Sequence, residues 1–349
     1  MLARVGELVP WRAVVVPWLV SRLVCAGVIL GAASWPFDAG LEFRGFQIWD
    51  GAFYTSIARG GYGALPMGDL QTRFPFFPLM PGLMRGLREI GLGDQASIVI
   101  LNQLVLLLAF AGVFTIARRH ASPRAAALAV WALAVFPGSF VFTMIYPSSI
   151  FLAATVWAFV FVEDRKDWAA AAMVVVASLA RPNGILLVVA LVVALRSWRR
   201  ITVVCTPAVI AVVGWCAWLG DRTGDPLVFW NAKSAWPEVS VLDLATAPLR
   251  YDYAWPHFLL GLAAAGVVWH QRKRLPTSWL AWTAIVLVPP LLVGVVGLGR
   301  YANECFPPFV AAGQILERWS PWARRLTFAL SVLGLLFAAV MVIRFDRIP

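Results

Sequence analysis

The chain has 349 residues, of which 61% are hydrophobic and only 13% charged, with 29 Lys and Arg against 18 Asp and Glu. Soluble domains carry about a quarter charged residues, so this composition excludes a water-soluble fold and calls for a lipid solvent. The net charge of +11 does not describe a nucleic-acid footprint, because the basic residues sit in short clusters between apolar runs, and no nucleic-acid partner is expected.

In chain order, apolar segments predict spans at 13–33, 96–117, 125–142, 147–162, 168–180, 183–195, 201–219, 253–269, 278–298, 301–317 and 326–343. The longer ones match the roughly 17–25 residues that cross a hydrocarbon core as a helix. The expectation is an all-α polytopic membrane protein, one integral membrane domain over 1–349, with about eleven transmembrane helices. The first segment lacks a small-residue cleavage site and reads as a retained span. The pair at 168–180 and 183–195 is short and is separated by Arg181-Pro182-Asn183-Gly184. It either crosses twice or re-enters, and a broken helix at membrane depth marks a candidate site. Arg22 falls inside the first span and calls for a buried partner.

Sixteen of the 29 basic residues lie in alternate loops, in clusters such as Arg118-Arg119, Arg199-Arg200 and Arg272-Lys273-Arg274. By the positive-inside rule those loops, and the N-terminus, are cytoplasmic. Two long segments, 35–95 and 220–252, then lie outside, and loops of that length are usually functional. The first contains a helix-like stretch, Gly51–Arg59, stopped by Gly60-Gly61. Phe53 and Ile57, one turn apart, are expected to lay this lateral helix on the membrane surface.

Asp50 stands at the start of that helix, where a carboxylate acts either as an N-cap or as a general base toward a hydroxyl. The four cysteines show no metal or redox spacing, and the three histidines form no paired motif. No histidine-built metal site is expected, and dependence on a divalent metal stays open.

The run Trp49-Asp50-Gly51-Ala52-Phe53-Tyr54, continued by Ile57-Ala58 and Gly61-Tyr62 and then by Phe76-Phe77-Pro78-Leu79 and Pro81, resembles the PIG-V-like mannosyltransferases of the GT-C class. Arg181 with Asn183-Gly184, Gly224-Asp225-Pro226 followed by Trp236, and Arg300-Tyr301 with Pro307 extend the resemblance over residues 15 to 315. It implies a GT-C bundle, a catalytic Asp50, and inverting transfer of a sugar from a polyprenyl-phosphate donor, most simply polyprenyl-phosphate-mannose. The acceptor would be a glycan, glycolipid or protein hydroxyl facing the periplasm or cell exterior, in a plasma membrane.

A leaving phosphate needs preorganised cations. Arg181 and Arg300, both beside helix breaks, are the first candidates, with interfacial snorkelling as the alternative. Arg73 is a third, in the same loop as Asp50. Trp49, Glu42, Tyr54, Asn183, Asp225, Trp236 and Tyr301 complete the expected substrate pocket. Glu304 and Asp69 are further external carboxylates without an assigned role. One departure is visible: relatives often carry Glu-Ser after a Tyr and a small residue, where this chain has Tyr146-Pro147-Ser148-Ser149. A lipid-linked sugar transporter and an inactive assembly subunit are the competing classes. A transporter would need ionisable residues deep in several spans, and Arg22 alone meets that description.

Overall fold

The computed structural model describes residues 10–34, 50–63, 73–93, 95–235, 239–247 and 249–345, and among them every regular element is helical. The described residues start with α1 (Trp11–Ser34), α2 (Asp50–Gly60), α3 (Leu79–Glu89), α4 (Gln95–His120) and α5 (Pro123–Val135). A 3-10 helix, Pro137–Thr143, leads to α6 (Ser148–Glu163), α7 (Asp167–Ala180), a second 3-10 turn Pro182–Leu186, α8 (Leu187–Ala194) and α9 (Trp198–Thr223). The short α10 (Val228–Asn231) and α11 (Val241–Thr246) precede α12 (Trp255–Gln271), α13 (Thr277–Val293), α14 (Leu298–Asn303), α15 (Phe306–Leu316) and α16 (Pro321–Phe345).

Among the described residues four stretches are long and apolar enough to cross a membrane: Trp11–Gly31, Gln95–His120, Trp198–Thr223 and Pro321–Val342. Leucines and valines exposed along α1, α4, α9 and α16, such as Leu23, Leu104, Val213 and Leu330, would be costly in water and are at home in lipid. The chain is a multi-pass membrane protein. Each of the eleven segments expected from the sequence coincides with a helix or a broken helix, although several helices are shorter than a full span.

α6 lies at the centre, between α4 and α7, with most of its side chains buried; α7 packs in turn on α9, and α15 on α5. The basic loops meet at one end of the bundle. There Arg119 pairs with Glu163 at 3.2 Å and Asp164 at 2.8 Å, Arg200 pairs with Asp167 at 2.7 Å, and Ser122 bonds Glu317. His120 packs edge-on against Trp279 at 4.7 Å, which brings the start of α13 to the same end. From that end α7 runs to Arg181 and α8 returns, so the short pair traverses the same layer as α6 and its apex reaches the opposite end. Gly184 makes that apex possible, since a Cβ there would stand 2.0 Å from the Ala177 carbonyl oxygen.

Four sequence expectations need correction. The segment 125–142 is not one straight span, because Pro137 stops α5 and the chain bends by 72° into its 3-10 helix. The segment 301–317 is broken at Glu304-Cys305, where Pro307 and Pro308 in the first turn of α15 prevent the helix from extending backward. The long segment expected at 35–95 holds a second helix, α3, which the sequence reading does not include. Ile57 is buried against Phe76, Met80, Met84, Ile98 and Ile150, and Phe53 stacks on Phe76 at 4.7 Å, so this face of α2 is seated on protein instead of on a membrane surface. Arg22 has the buried partners expected: Thr143 Oγ1 at 3.0 Å and the Ser139 carbonyl at 3.1 Å accept from it, and both are uncharged.

Candidate active site

Asp50 is the first residue of α2, at the end of the bundle opposite the basic loops. Its backbone N–H donates to the Tyr146 hydroxyl at 3.2 Å, and its carboxylate Oδ2 accepts from Arg300 Nη1 at 2.8 Å. The helix cannot swing away, because Tyr54 and Ile57 pin it to Phe76, the partner motif that the sequence spaces some twenty residues later. Tyr146 is fixed from behind. Buried Asn102, in the first half of apolar α4, donates to the carbonyls of Met144 at 3.1 Å and Tyr146 at 3.2 Å and so holds the extended turn between the 3-10 helix and α6.

Arg300 lies over the rings of Tyr146 and Tyr301, each 5.5 Å from its guanidinium carbon. The other side of the Tyr301 region is taken by Arg181, 5.8 Å from the same ring. Arg181 is buried and binds the fully buried Glu304 at 2.7 Å, while its Nη2 donates to Ser148 Oγ at 3.2 Å. Two ion pairs therefore stand side by side, one open and one closed. The Asp50 and Arg300 side chains keep 23% and 14% of their surface exposed, whereas those of Arg181 and Glu304 keep 7% and 0%. Burial pushes the Tyr54 phenol well above its ordinary range, with Arg181 and Arg300 opposing the shift and Asp50 and Glu304 adding to it. One hydroxyl thus senses all four charges.

The remaining expected residues fall in different places. Asn183 sits half-buried in the turn beside Arg181. Arg73 donates to the Gly61 carbonyl at 3.3 Å and, with Arg59 and Ser56, lines an open cavity of about 410 Å³ along a different face of α2 from the one that packs inward. Asp225 closes its own turn, accepting from the Leu227 N–H at 2.8 Å and from Asn231 Nδ2 at 2.7 Å. Trp49, Glu42 and Trp236 lie outside the described residues.

Sequence reasoning missed the parts played by Tyr146, Glu304 and Asn102. Their only signal was polarity inside or beside apolar helices. The acid absent from the 146–149 turn has a spatial counterpart, because Glu304 reaches the arginine that Ser148 also contacts.

The two long connecting segments also meet. Phe77 packs on Phe229 at 5.3 Å, and Tyr62 meets Trp215 and Trp218 toward the C-terminal end of α9. A second, apolar cavity of about 300 Å³ opens between the 3-10 helix after α5, α12 and α16, with Arg300 among its lining residues.

The family model for dolichyl-phosphate-mannose-protein mannosyltransferase matches residues 75–218, less than half of the chain. A comparison with curated proteins found no significant match. Among solved structures, ArnT from Cupriavidus metallidurans bound to undecaprenyl phosphate superposes with a TM-score of 0.58 at 18% identity, covering 88% of this chain and 62% of ArnT. The fold is that of the GT-C membrane glycosyltransferases. Apo ArnT gives a TM-score of 0.53 at 19% identity, covering 90% of this chain and 62% of its own. The archaeal oligosaccharyltransferase AglB from Archaeoglobus fulgidus, in complex with an inhibitory peptide and a dolichol-phosphate, gives 0.50 at 13% identity, covering 94% and 55%. The chain spans less than two thirds of the length of those solved proteins.

Proposed function

We propose that the chain is an inverting glycosyltransferase that moves a sugar, mannose in our reading, from a polyprenyl-phosphate carrier to an acceptor hydroxyl on the extracytoplasmic side. The observation that carries this reading is Arg300, whose guanidinium binds the partly open Asp50 carboxylate and which is also one of the residues lining an apolar cavity between helices. A lipid-linked sugar presents a phosphate at the bilayer edge with its chain in hydrocarbon, and this arrangement sets a cation-bearing residue beside an apolar cavity.

In the reaction, the acceptor oxygen attacks the anomeric carbon while Asp50 takes the hydroxyl proton. The bond between that carbon and the phosphate oxygen breaks, and its electron pair leaves on the phosphate, where Arg300 meets the developing charge. Attack opposite the leaving group inverts the anomeric centre. The Tyr146 hydroxyl and the seating of α2 hold Asp50 still, so little reorganisation is needed at the moment of transfer. Arg181, paired like Arg300 but with a fully buried carboxylate, is the more enclosed of the two and serves as a buried brace beside Tyr301 more than as a phosphate ligand. The basic loops at the far end support a cytoplasmic assignment for that end by the positive-inside rule, which leaves Asp50 outside.

The test is a transfer assay with the purified chain in lipid nanodiscs, supplied with polyprenyl-phosphate-mannose labelled in the sugar and with membrane extracts as acceptor. Donor-dependent appearance of label in an acceptor with inverted linkage supports the reading. Carrier movement across vesicles with no sugar transfer would replace it with a transporter.

A further inference from the structure

We infer that His257 is a second ligand of the carrier phosphate, reaching it from the hydrocarbon side of the site; this rests on the reading of Arg300 given above. His257 lies in the first turn of α12, is 3% exposed, and both ring nitrogens are without a hydrogen-bond partner among the described residues. A buried imidazole with both nitrogens idle is unusual, because buried polar atoms are normally paired. It lines the same 300 Å³ cavity as Arg300. The two are neighbours by construction: a Cβ on Gly299 would stand 2.9 Å from His257 Nδ1, so the glycine before Arg300 is what lets the ring lie against that backbone.

The rest of the lining is apolar, including Phe140, Val141, Leu260 and Ala338. Leu259 on α12 and Phe337 on α16 also line it and are 56% and 54% exposed, as residues at its mouth would be. Such a cavity suits an amphiphile whose anionic head meets His257 and Arg300 and whose long chain leaves between α12 and α16. Arg300 supplies charge. His257 supplies one neutral N–H donor, which recognises a phosphate oxygen and offers nothing comparable to the bare chain.

The experiment measures binding of undecaprenyl phosphate, undecaprenol and inorganic phosphate to the full chain in nanodiscs. Four variants are compared with the wild type: His257→Phe, His257→Gln, Ala338→Phe and Arg300→Gln. The expected result is a Kd for undecaprenyl phosphate about tenfold weaker in His257→Phe and largely restored in His257→Gln. Undecaprenol should bind equally to both, Ala338→Phe should weaken both lipids, and inorganic phosphate should compete poorly. If Arg300→Gln weakens the phosphate lipid while His257→Phe and Ala338→Phe bind it as the wild type does, the inference is overturned and the carrier reading stands. If the wild type prefers neither lipid, or Arg300→Gln changes nothing, the carrier reading fails and takes this one with it. Strong competition by inorganic phosphate alone would make the site a plain anion site and also overturn the inference. Should His257→Phe fail to fold, nitrogen-15 spectra of the three histidines, with His257 assigned through the Gln variant, decide the matter. A downfield shift of its N–H on adding undecaprenyl phosphate supports the contact, and an unmoved resonance contradicts it.

Discussion

Arg300 Nη1 and Asp50 Oδ2 stand 2.8 Å apart although 250 positions separate them in the chain. The pair joins α2, in the first long loop, to the last part of the bundle. It also lets the two residues most concerned with the proposed transfer fix each other's rotamers.

Because the two act as one unit, their losses should not add. Arg300→Gln should lower transfer by about 10²–10³-fold. The Asp50→Asn/Arg300→Gln double variant should be little worse than the more damaged single variant. Initial rates at saturating donor, measured for the four proteins of the cycle, check this; strict multiplication of the two losses would show that the pair does not work together.

Arg181 and Glu304 should behave as a structural brace. Replacing one partner of a buried pair leaves the other charge uncompensated, at a cost of about 3–5 kcal/mol, while removing both for apolar residues is often far milder. Glu304→Gln should therefore melt well below the wild type in detergent, and Arg181→Met/Glu304→Leu should recover much of that loss. Equal melting of single and double variants would refute the brace.

Tyr146→Phe removes the hydroxyl that accepts from the Asp50 N–H. Stability should fall by about 1 kcal/mol, with a clear loss in kcat and donor KM nearly unchanged. Asn102→Leu, which frees the backbone behind Tyr146, should reproduce the kcat loss with a larger drop in melting temperature. Steady-state kinetics and thermal unfolding of both variants separate the two effects.

Alkaline stability provides a pH signature. Burial raises the Tyr54 phenol above its ordinary value of 10.0, so the folded state holds that proton more tightly than the unfolded chain. The stabilisation is complete below the unfolded value and is lost as pH rises through it toward the folded one, at up to ~1.4 kcal/mol per pH unit. Between about pH 9 and about pH 11, around the unperturbed tyrosine range, the wild type should lose melting temperature more steeply than Tyr54→Phe. Parallel melting curves would show that Tyr54 is not buried as described.

The membrane class, the eleven apolar segments and the place of Asp50 were legible because they depend on composition, span length and helix punctuation, all local properties. The Arg181-Pro182-Asn183-Gly184 break was also visible, since proline and glycine act on their own backbone. What could not be read were partners. Nothing near Glu304 in the chain announces Arg181, and nothing near Asp50 announces Tyr146 or Arg300, because helix packing over long separations makes those contacts. Phe53 and Ile57 show the same limit: their spacing defines an apolar face, but only the packing of Phe76 and Met80 decides whether that face meets lipid or protein.

The most direct test of the account is Asp50→Asn, with donor binding and sugar transfer measured on the same nanodisc preparation. The account predicts a folded protein that binds polyprenyl-phosphate-mannose within a few-fold of the wild type and transfers its sugar about 10²–10⁴ times more slowly, because the amide cannot accept the hydroxyl proton. Transfer at the wild-type rate would contradict it.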